Sequence, residues 1–431
     1  MKKMTGLIIA FSAILIMTMM LVSASDVTYK IRSSVYDNSD VSTPTGDFYW
    51  DANSFSGFWF PIKPGLSSEV LYFHNSVNSS STIQLGDKIA EGNLYYVSKP
   101  QMKKTKIGAC DDGGAYVVDG IDLKKYYLMG FFGSQHVVMP EESSDLSAGC
   151  KPDRIAKILL ETDDDVKKQM FSGEEWELAG GWSLIVQQVD VEGSKVWVQL
   201  NKDGEGIDSS IVSGDMDLAK QERTYLYKDA DDYPVFYCYV DSIFRGMDTD
   251  FVVFKYAFLR GDIITIEDGD SYGAFDVEGF EVPAVMGGID YAGSGSGTVL
   301  HTGDDVLLMS NNDDITLNPN KIIDLYGGLY LKTEDTSAPC LKMTLWKTCT
   351  ITVPGAVQED ENEDAGEEVI VVDLAEGGNE AQTSSSTMDE SAVSYDVDNA
   401  DGDVVQSSVV APGFELFISL VGLFGASRVR G

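Results

Sequence analysis

The sequence predicts an all-β protein of antiparallel β-sandwiches, followed by a disordered acidic stalk and a short apolar C-terminal segment. Short runs of β-branched and aromatic residues recur along the chain, turn residues punctuate them, and helical periodicity is scarce. The size allows it. A chain of 431 residues, 43% hydrophobic and 10% aromatic, can fill more than one core.

The leader comes first. Met1, Lys2 and Lys3 precede an apolar run from Leu7 to Val22, closed by Ser23, Ala24 and Ser25 before the polar Asp26. Basic, apolar and small residues in that order read as a secretory signal peptide over residues 1–25, cleaved near Ala24 or Ser25. An uncleaved anchor is the alternative, and the run is shorter than the roughly 20 residues a spanning helix prefers.

The body, Asp26 to Gly355, reads as strands. LYYVS from Leu94, YYLMGFF from Tyr126, WSLIVQQV from Trp182, KVWVQL from Lys195, TYLY from Thr224, VFYCYV from Val235, FVVF from Phe251 and LYLK from Leu329 fit the pattern, and Arg154 to Leu160 is taken as another. Asp190 to Ser194 and Lys202, Asp203, Gly204 read as antiparallel hairpin turns. In KVWVQL the pleat puts Val196, Val198 and Leu200 on the core side and Lys195, Trp197 and Gln199 on the other. Many short strands with frequent turns favour antiparallel sandwiches, placed at residues 26–150 and 151–355.

From Gln358 the composition changes. QEDENEDAGEE is a block of carboxylates, and Gly377 to Ser408 is rich in Ser, Asp, Glu and Gly. Residues 356–411 are expected to form an extended, self-repelling stalk, with a short strand in VIVVDL, Val369 to Leu374. Residues 412–431 carry Pro412, Gly413 and Phe414, an apolar stretch from Phe414 to Ala426, then Arg428 and Arg430. That stretch is too short to span a bilayer comfortably and contains Glu415.

Charge excludes one class of function. Sixty-nine Asp and Glu against 31 Lys and Arg give a net charge of -38, with no cluster of cations to hold phosphates, so nucleic acid is not an expected partner. The surface should stay soluble, repel anions and attract divalent cations, weakly bound, and no cofactor is expected. His74, His136 and His301 lie far apart, without carboxylates or cysteines at ligand spacing, so no metal or catalytic residue is assigned. Five cysteines, Cys110, Cys150, Cys238, Cys340 and Cys349, contain no CxxC pair. In an exported chain they allow one or two disulfides and leave at least one thiol over. One continuous strand would hold Cys340 and Cys349 about 30 Å apart, beyond disulfide reach, and no bridge is assigned.

NKDGEG, Asn201 to Gly206, places polar residues like a calcium loop, but an EF-hand needs a Glu where Val212 stands, so a hairpin turn is expected. Glu161 to Asp165 and Asn311 to Asp314 read as solvated loop charges. GSGSG at Gly293 to Gly297 has Gly295 where a nucleophile elbow needs serine, and reads as a flexible loop. Trp50, Phe55, Phe58, Trp59 and Phe60 are assigned to a core rather than to a sugar-stacking platform. Asn78, with Ser79 and Ser80, heads the sole N-glycosylation sequon.

Two sets of motifs carry a resemblance. Residues 47–71, DFYWDANSFSGFWFPIKPGLSSEVL, and residues 181–208, GWSLIVQQVDVEGSKVWVQLNKDGEGID, resemble the two hallmarks of the S-layer duplication domain of Methanosarcina-type archaeal surface-layer proteins. VDSIFRGMDTDFVVFKYAFL, SYGAFDV and IIDLYGGLYLK continue it. The tail resembles the archaeal PGF-type C-terminal sorting signal, in which Pro412, Gly413 and Phe414 would be the sorting motif. A lipid replacing the processed tail, or a short untilted anchor, would hold the chain at the membrane. The resemblance implies two β-sandwiches per module, self-assembly or assembly with other S-layer subunits at the extracellular cell surface, and no catalytic role. The family's major lattice proteins usually carry the module in tandem, whereas FSGFW and VWVQLNKDG occur once here. Residues 108–150 look expanded and 333–345 depart from the pattern, as in an accessory surface protein. A surface-anchored binding protein or adhesin could use the same module and would show a pocket with converging polar groups. A secreted hydrolase would need paired carboxylates or a nucleophile and base in one cleft.

Overall fold

The computed structural model describes residues 24–39, 46–60, 66–75, 82–108, 115–141, 143–162, 165–247, 249–291, 298–354 and 370–372. These are almost all strand and turn, and helical turns are short 3-10 pieces such as Lys220–Arg223 and Ala284–Met286. All eight runs read as strands from the sequence are strands, and so is Arg154–Glu161. In chain order the principal strands begin with β1 (Ala24–Arg32), β2 (Phe48–Trp50), β3 (Glu69–Phe73), β4 (Leu94–Ser98), β5 (Gln101–Lys104), β6 (Lys125–Phe131) and β7 (Ser134–Val138). The middle of the chain supplies β8 (Arg154–Glu161), β9 (Lys168–Phe171), β10 (Glu175–Glu177), β11 (Trp182–Asp190), β12 (Lys195–Lys202), β13 (Glu205–Ser213) and β14 (Thr224–Lys228). Then follow β15 (Pro234–Phe244), β16 (Phe251–Thr265), β17 (Ser271–Tyr272), β18 (Phe275–Glu281), β19 (Asp305–Asn311), β20 (Lys342–Pro354) and β21 (Ile370–Val372).

Two compact units emerge, one from residues 33–345 and one to which residues 24–32, 346–354 and 370–372 belong. In the smaller, β1 runs antiparallel to the second part of β20, with Tyr29 opposite Cys349. The strand expected in VIVVDL is β21, which pairs in parallel with β1 through Tyr29 and Ile370.

The larger unit holds three large sheets. A four-stranded sheet has the order β10-β11-β12-β13; an eight-stranded one has β14-β15-β16-β8-β7-β6-β5, with β9 also on β16; a six-stranded one has β17-β18-β19-β4-β3-β2. Neighbouring strands in all three are antiparallel. The eight-stranded sheet takes β5, β6 and β7 from before residue 150 and its other strands from after it.

The four-stranded sheet and one face of the eight-stranded sheet make a β-sandwich. Leu184, Val186, Val196, Val198, Leu200 and Val212 meet Met170, Phe236, Cys238, Val240, Phe254 and Leu259 in one core. Val196, Val198 and Leu200 are fully buried and Trp197 is exposed, as the pleat requires. VFYCYV is a near-continuous apolar run because β15 buries both faces: Phe236, Cys238 and Val240 enter this core, while Tyr237 and Tyr239 enter another with Tyr116, Tyr126 and Phe258.

Turn chemistry sets the register of the four-stranded sheet. Asp203 and Gly204, at φ 52° and 82°, form the two-residue connection between β12 and β13, the geometry that matches strand twist. Lys202 faces Glu205 across it.

Candidate functional site

A buried carboxyl organises the region around the FSGFW segment. Glu69 sits on β3 with no solvent exposure. Its Oε2 accepts the Trp59 backbone N–H at 2.6 Å, and its Oε1 accepts the Gly133 N–H at 2.8 Å and the Tyr96 hydroxyl at 2.7 Å. Gly130 makes the space, since a Cβ there would lie 2.1 Å from Oε2. Burial, with the Glu69 charge beside it, pushes the Tyr96 hydroxyl well above the ordinary tyrosine range.

The same group holds an unusual turn. Phe132 and Gly133 join β6 to β7 with φ 47° and 76°, a left-handed conformation that is rare for a bulky residue. The Phe132 N–H donates to the Tyr96 hydroxyl oxygen at 2.8 Å, and the two rings stack with centroids 4.2 Å apart. Glu69 thus ties the FSGFW loop, the six-stranded sheet and the β6–β7 turn together. Trp50, Phe55, Phe58 and Trp59 are buried as expected, and Phe60 is half-buried. Those aromatics fill a core and form no exposed platform.

A second polar network crosses four strands of the eight-stranded sheet. Glu161 accepts both its 2.8 Å contacts from Lys103 Nζ, a third bond from the Tyr126 hydroxyl, and one from Gln135 at 3.3 Å. The expectation of a solvated loop charge at Glu161 is corrected, because the residue ends β8 and points along the sheet towards β5. Asn311 is corrected likewise. It is buried at the end of β19, where its side chain accepts the Asn93 and Leu94 N–H groups and donates to the Ala90 and Asp313 carbonyls. Asp314 remains exposed and bonds Lys88 at 3.1 Å.

The histidines stay apart. His136 is buried beside Phe131 with Nδ1 2.9 Å from the Ser134 carbonyl, and desolvation pushes its pKa down to about 4. His74 stacks near Tyr72, and the backbone of His301 closes an exposed turn on Asp304. Cys150, Cys238, Cys340 and Cys349 are free thiols, so no bridge joins Cys340 to Cys349. In NKDGEG the carboxylates do not converge: Asn201 is buried against Gln199, and Asp203 and Gly204 are the turn. Among the described residues no group of three His, Cys, Asp or Glu side chains is placed to hold a metal ion. Asn78, Cys110, the GSGSG segment and the Pro412, Gly413, Phe414 motif lie outside the described residues.

A cavity of about 170 Å³ opens beside β15, lined by Ile107, Tyr116, Lys220, Tyr239, Asp241 and Tyr256. Tyr256 borders it from a β-bulge, at φ 52°, where the β15–β16 register shifts between Tyr237 opposite Phe258 and Tyr239 opposite Lys255. The volume is below the roughly 300 Å³ at which small-molecule sites begin; a more open depression of about 530 Å³, over Met216, Leu218 and Arg223, shares Lys220 and Tyr239 with it. No sequence signal marked either the bulge or the Glu69 node, since both depend on residues brought together from distant strands.

Antiparallel sheets packed face to face, with buried polar groups bonding strand to strand, define a β-sandwich protein. The S-layer protein family model matches residues 37–285, and the chain belongs to that family. It is similar to the Major S-layer protein of Methanosarcina barkeri (strain Fusaro / DSM 804), 26% identical over 409 residues, covering 92% of this chain and 52% of the relative. The Major S-layer proteins of Methanosarcina mazei and Methanosarcina acetivorans are 26% and 28% identical over 78% and 79% of this chain, and 42% and 44% of their own lengths. The chain spans about half the length of the curated relatives it matches. No helix among the described residues is long and apolar enough to cross a membrane.

Proposed function

We propose that this protein is a structural component of an archaeal cell-surface layer, extracellular and without catalytic activity. The observation that carries the reading is the match of the body, residues 37–285, to the S-layer protein family, together with relatives named as major S-layer proteins along most of the chain. The fold suits the task. A sandwich with both faces of its central strands buried resists deformation, and a chain of net charge -38 attracts cations and repels anions.

On this reading residues 1–25 are the export signal, the acidic segment 356–411 is a stalk, and residues 412–431 direct attachment to the membrane or to a lipid through Pro412, Gly413 and Phe414. The subunit assembles with copies of itself or with other subunits of the layer. Imaging of purified envelopes with a label on this protein, and mass spectrometry of its C-terminus, test both parts. The label should follow a regular array, and the mature chain should end near Phe414. A label scattered off the array refutes the lattice role, and an abundant peptide covering 428–431 refutes processing.

A further inference from the structure

The four-stranded sheet has two unlike edges. β10 is three residues long and carries Glu175 and Glu177, so charge and shortness both guard it. β13 is nine residues long and contains neither Lys nor Pro, and no other strand among the described residues pairs with its far side. Asp208 does not guard it, because its carboxylate turns inward to accept the Tyr225 hydroxyl at 2.6 Å.

Apolar groups collect along this edge. Ile207 is 40% exposed and Ile211 66%, and Trp197, 44% exposed, stands opposite Ile211 on β12. Between them Ser209 accepts the Trp197 indole N–H at 2.6 Å, and Gln199 faces Ser209. On a chain of net charge -38, copies repel wherever carboxylates meet, and the outward-facing side chains of this stretch, Ile207, Ser209 and Ile211, are uncharged.

The order of residues in β13 also fits its own reverse. If two β13 strands run antiparallel about a two-fold axis at Ser209, Ile207 of each lies opposite Ile211 of the other. Asp208 then meets Ser210, so no two like charges are opposed; Glu205 and Gly206 lie past the bulge at Ile207, where β13 shifts by one residue against β12, and take no part in the pairing.

We propose that β13 is a self-complementary contact through which two copies of this chain join edge to edge, extending two four-stranded sheets into one of eight. The proposal rests on the reading of the protein as an assembling surface-layer subunit and names the surface that subunit uses. A second copy is the occupant because the register pairs apolar with apolar and carboxylate with hydroxyl in both directions at once.

Two variants of the full chain test it. Opposed residues in an antiparallel pair have Cα atoms about 4.5–5.5 Å apart, within disulfide range. Ser209→Cys should therefore give a 209–209 disulfide under mild oxidation, identified at the peptide level, whereas Ser213→Cys should give no 213–213 link. Ile211→Lys, on an exposed side chain, should raise the concentration for half-association by about tenfold or more in sedimentation equilibrium. Wild-type association that Ile211→Lys leaves unchanged, with no 209–209 link, overturns this surface and leaves the assembly reading standing. A wild-type chain that associates under no condition, together with a Ser209→Cys variant that forms no 209–209 link, overturns both. Discrete linked dimers without an array support the contact and count against the lattice.

Discussion

Replacing Glu69 by alanine probes the most connected polar group of the larger unit. The change leaves two buried donors, the Trp59 N–H and the Tyr96 hydroxyl, and one half-buried donor, the Gly133 N–H, without their acceptor. An orphaned buried donor costs about 1–3 kcal/mol, and water entering the vacated space recovers part of the sum, so the expected loss is about 4 kcal/mol. At roughly 2 °C per kcal/mol for a unit of this size, the melting temperature should fall by about 8 °C. Glu69→Gln should cost about half as much, since the amide fills the space and keeps one acceptor oxygen while turning its NH2 towards a donor. Thermal unfolding followed by tryptophan fluorescence and circular dichroism measures both. Trp59 should report the loosened loop below the main transition. A Glu69→Ala protein melting within about 2 °C of wild type would show that the carboxyl does not hold the loop and the β6–β7 turn.

Two further substitutions test the core and its pH response. Val198→Ala removes two methyl groups from a fully buried position and should cost about 2 kcal/mol in chemical denaturation, whereas Lys195→Ala on the exposed side of the same strand should stay within about 0.5 kcal/mol; equal effects would contradict the assigned pleat. His136 has its pKa lowered from 6.5 to about 4 by burial, so the unfolded chain takes up a proton there that the folded one refuses. Its neutral form should favour the fold fully above pH 6.5 and lose that support as pH falls to 4, by about 3 kcal/mol in all. Denaturant titrations of wild type and His136→Phe should diverge over that window, and parallel pH profiles would refute the assignment.

Much of the fold was legible because it depends on neighbours in sequence. Alternation fixed which side of KVWVQL is buried, the β-branched and aromatic run VFYCYV marked β15 as a strand, and an Asp-Gly pair announced the β12–β13 hairpin. The motifs at residues 47–71 and 181–208 pointed to the surface-layer family that the chain belongs to. Charges at strand ends were harder to place. Glu161 and Asn311 look in sequence like loop residues, and only the sheet shows that Lys103 on β5 and the backbone of residues 93 and 94 lie within hydrogen-bonding reach of them.

The two hairpins show where that division falls. Asp203-Gly204 is a turn by its own chemistry, because glycine takes a positive φ freely and aspartate tolerates one, so sequence alone determined it. Phe132-Gly133 has the same backbone but begins with a residue whose Cβ resists it. That turn exists because Tyr96 and Glu69, on strands some 35 and 65 residues earlier, accept its two N–H groups, and the Tyr96 ring stacks on that of Phe132. Tertiary structure decided it, since the cost of a strained φ is local while the groups that offset it arrive only when distant strands pair.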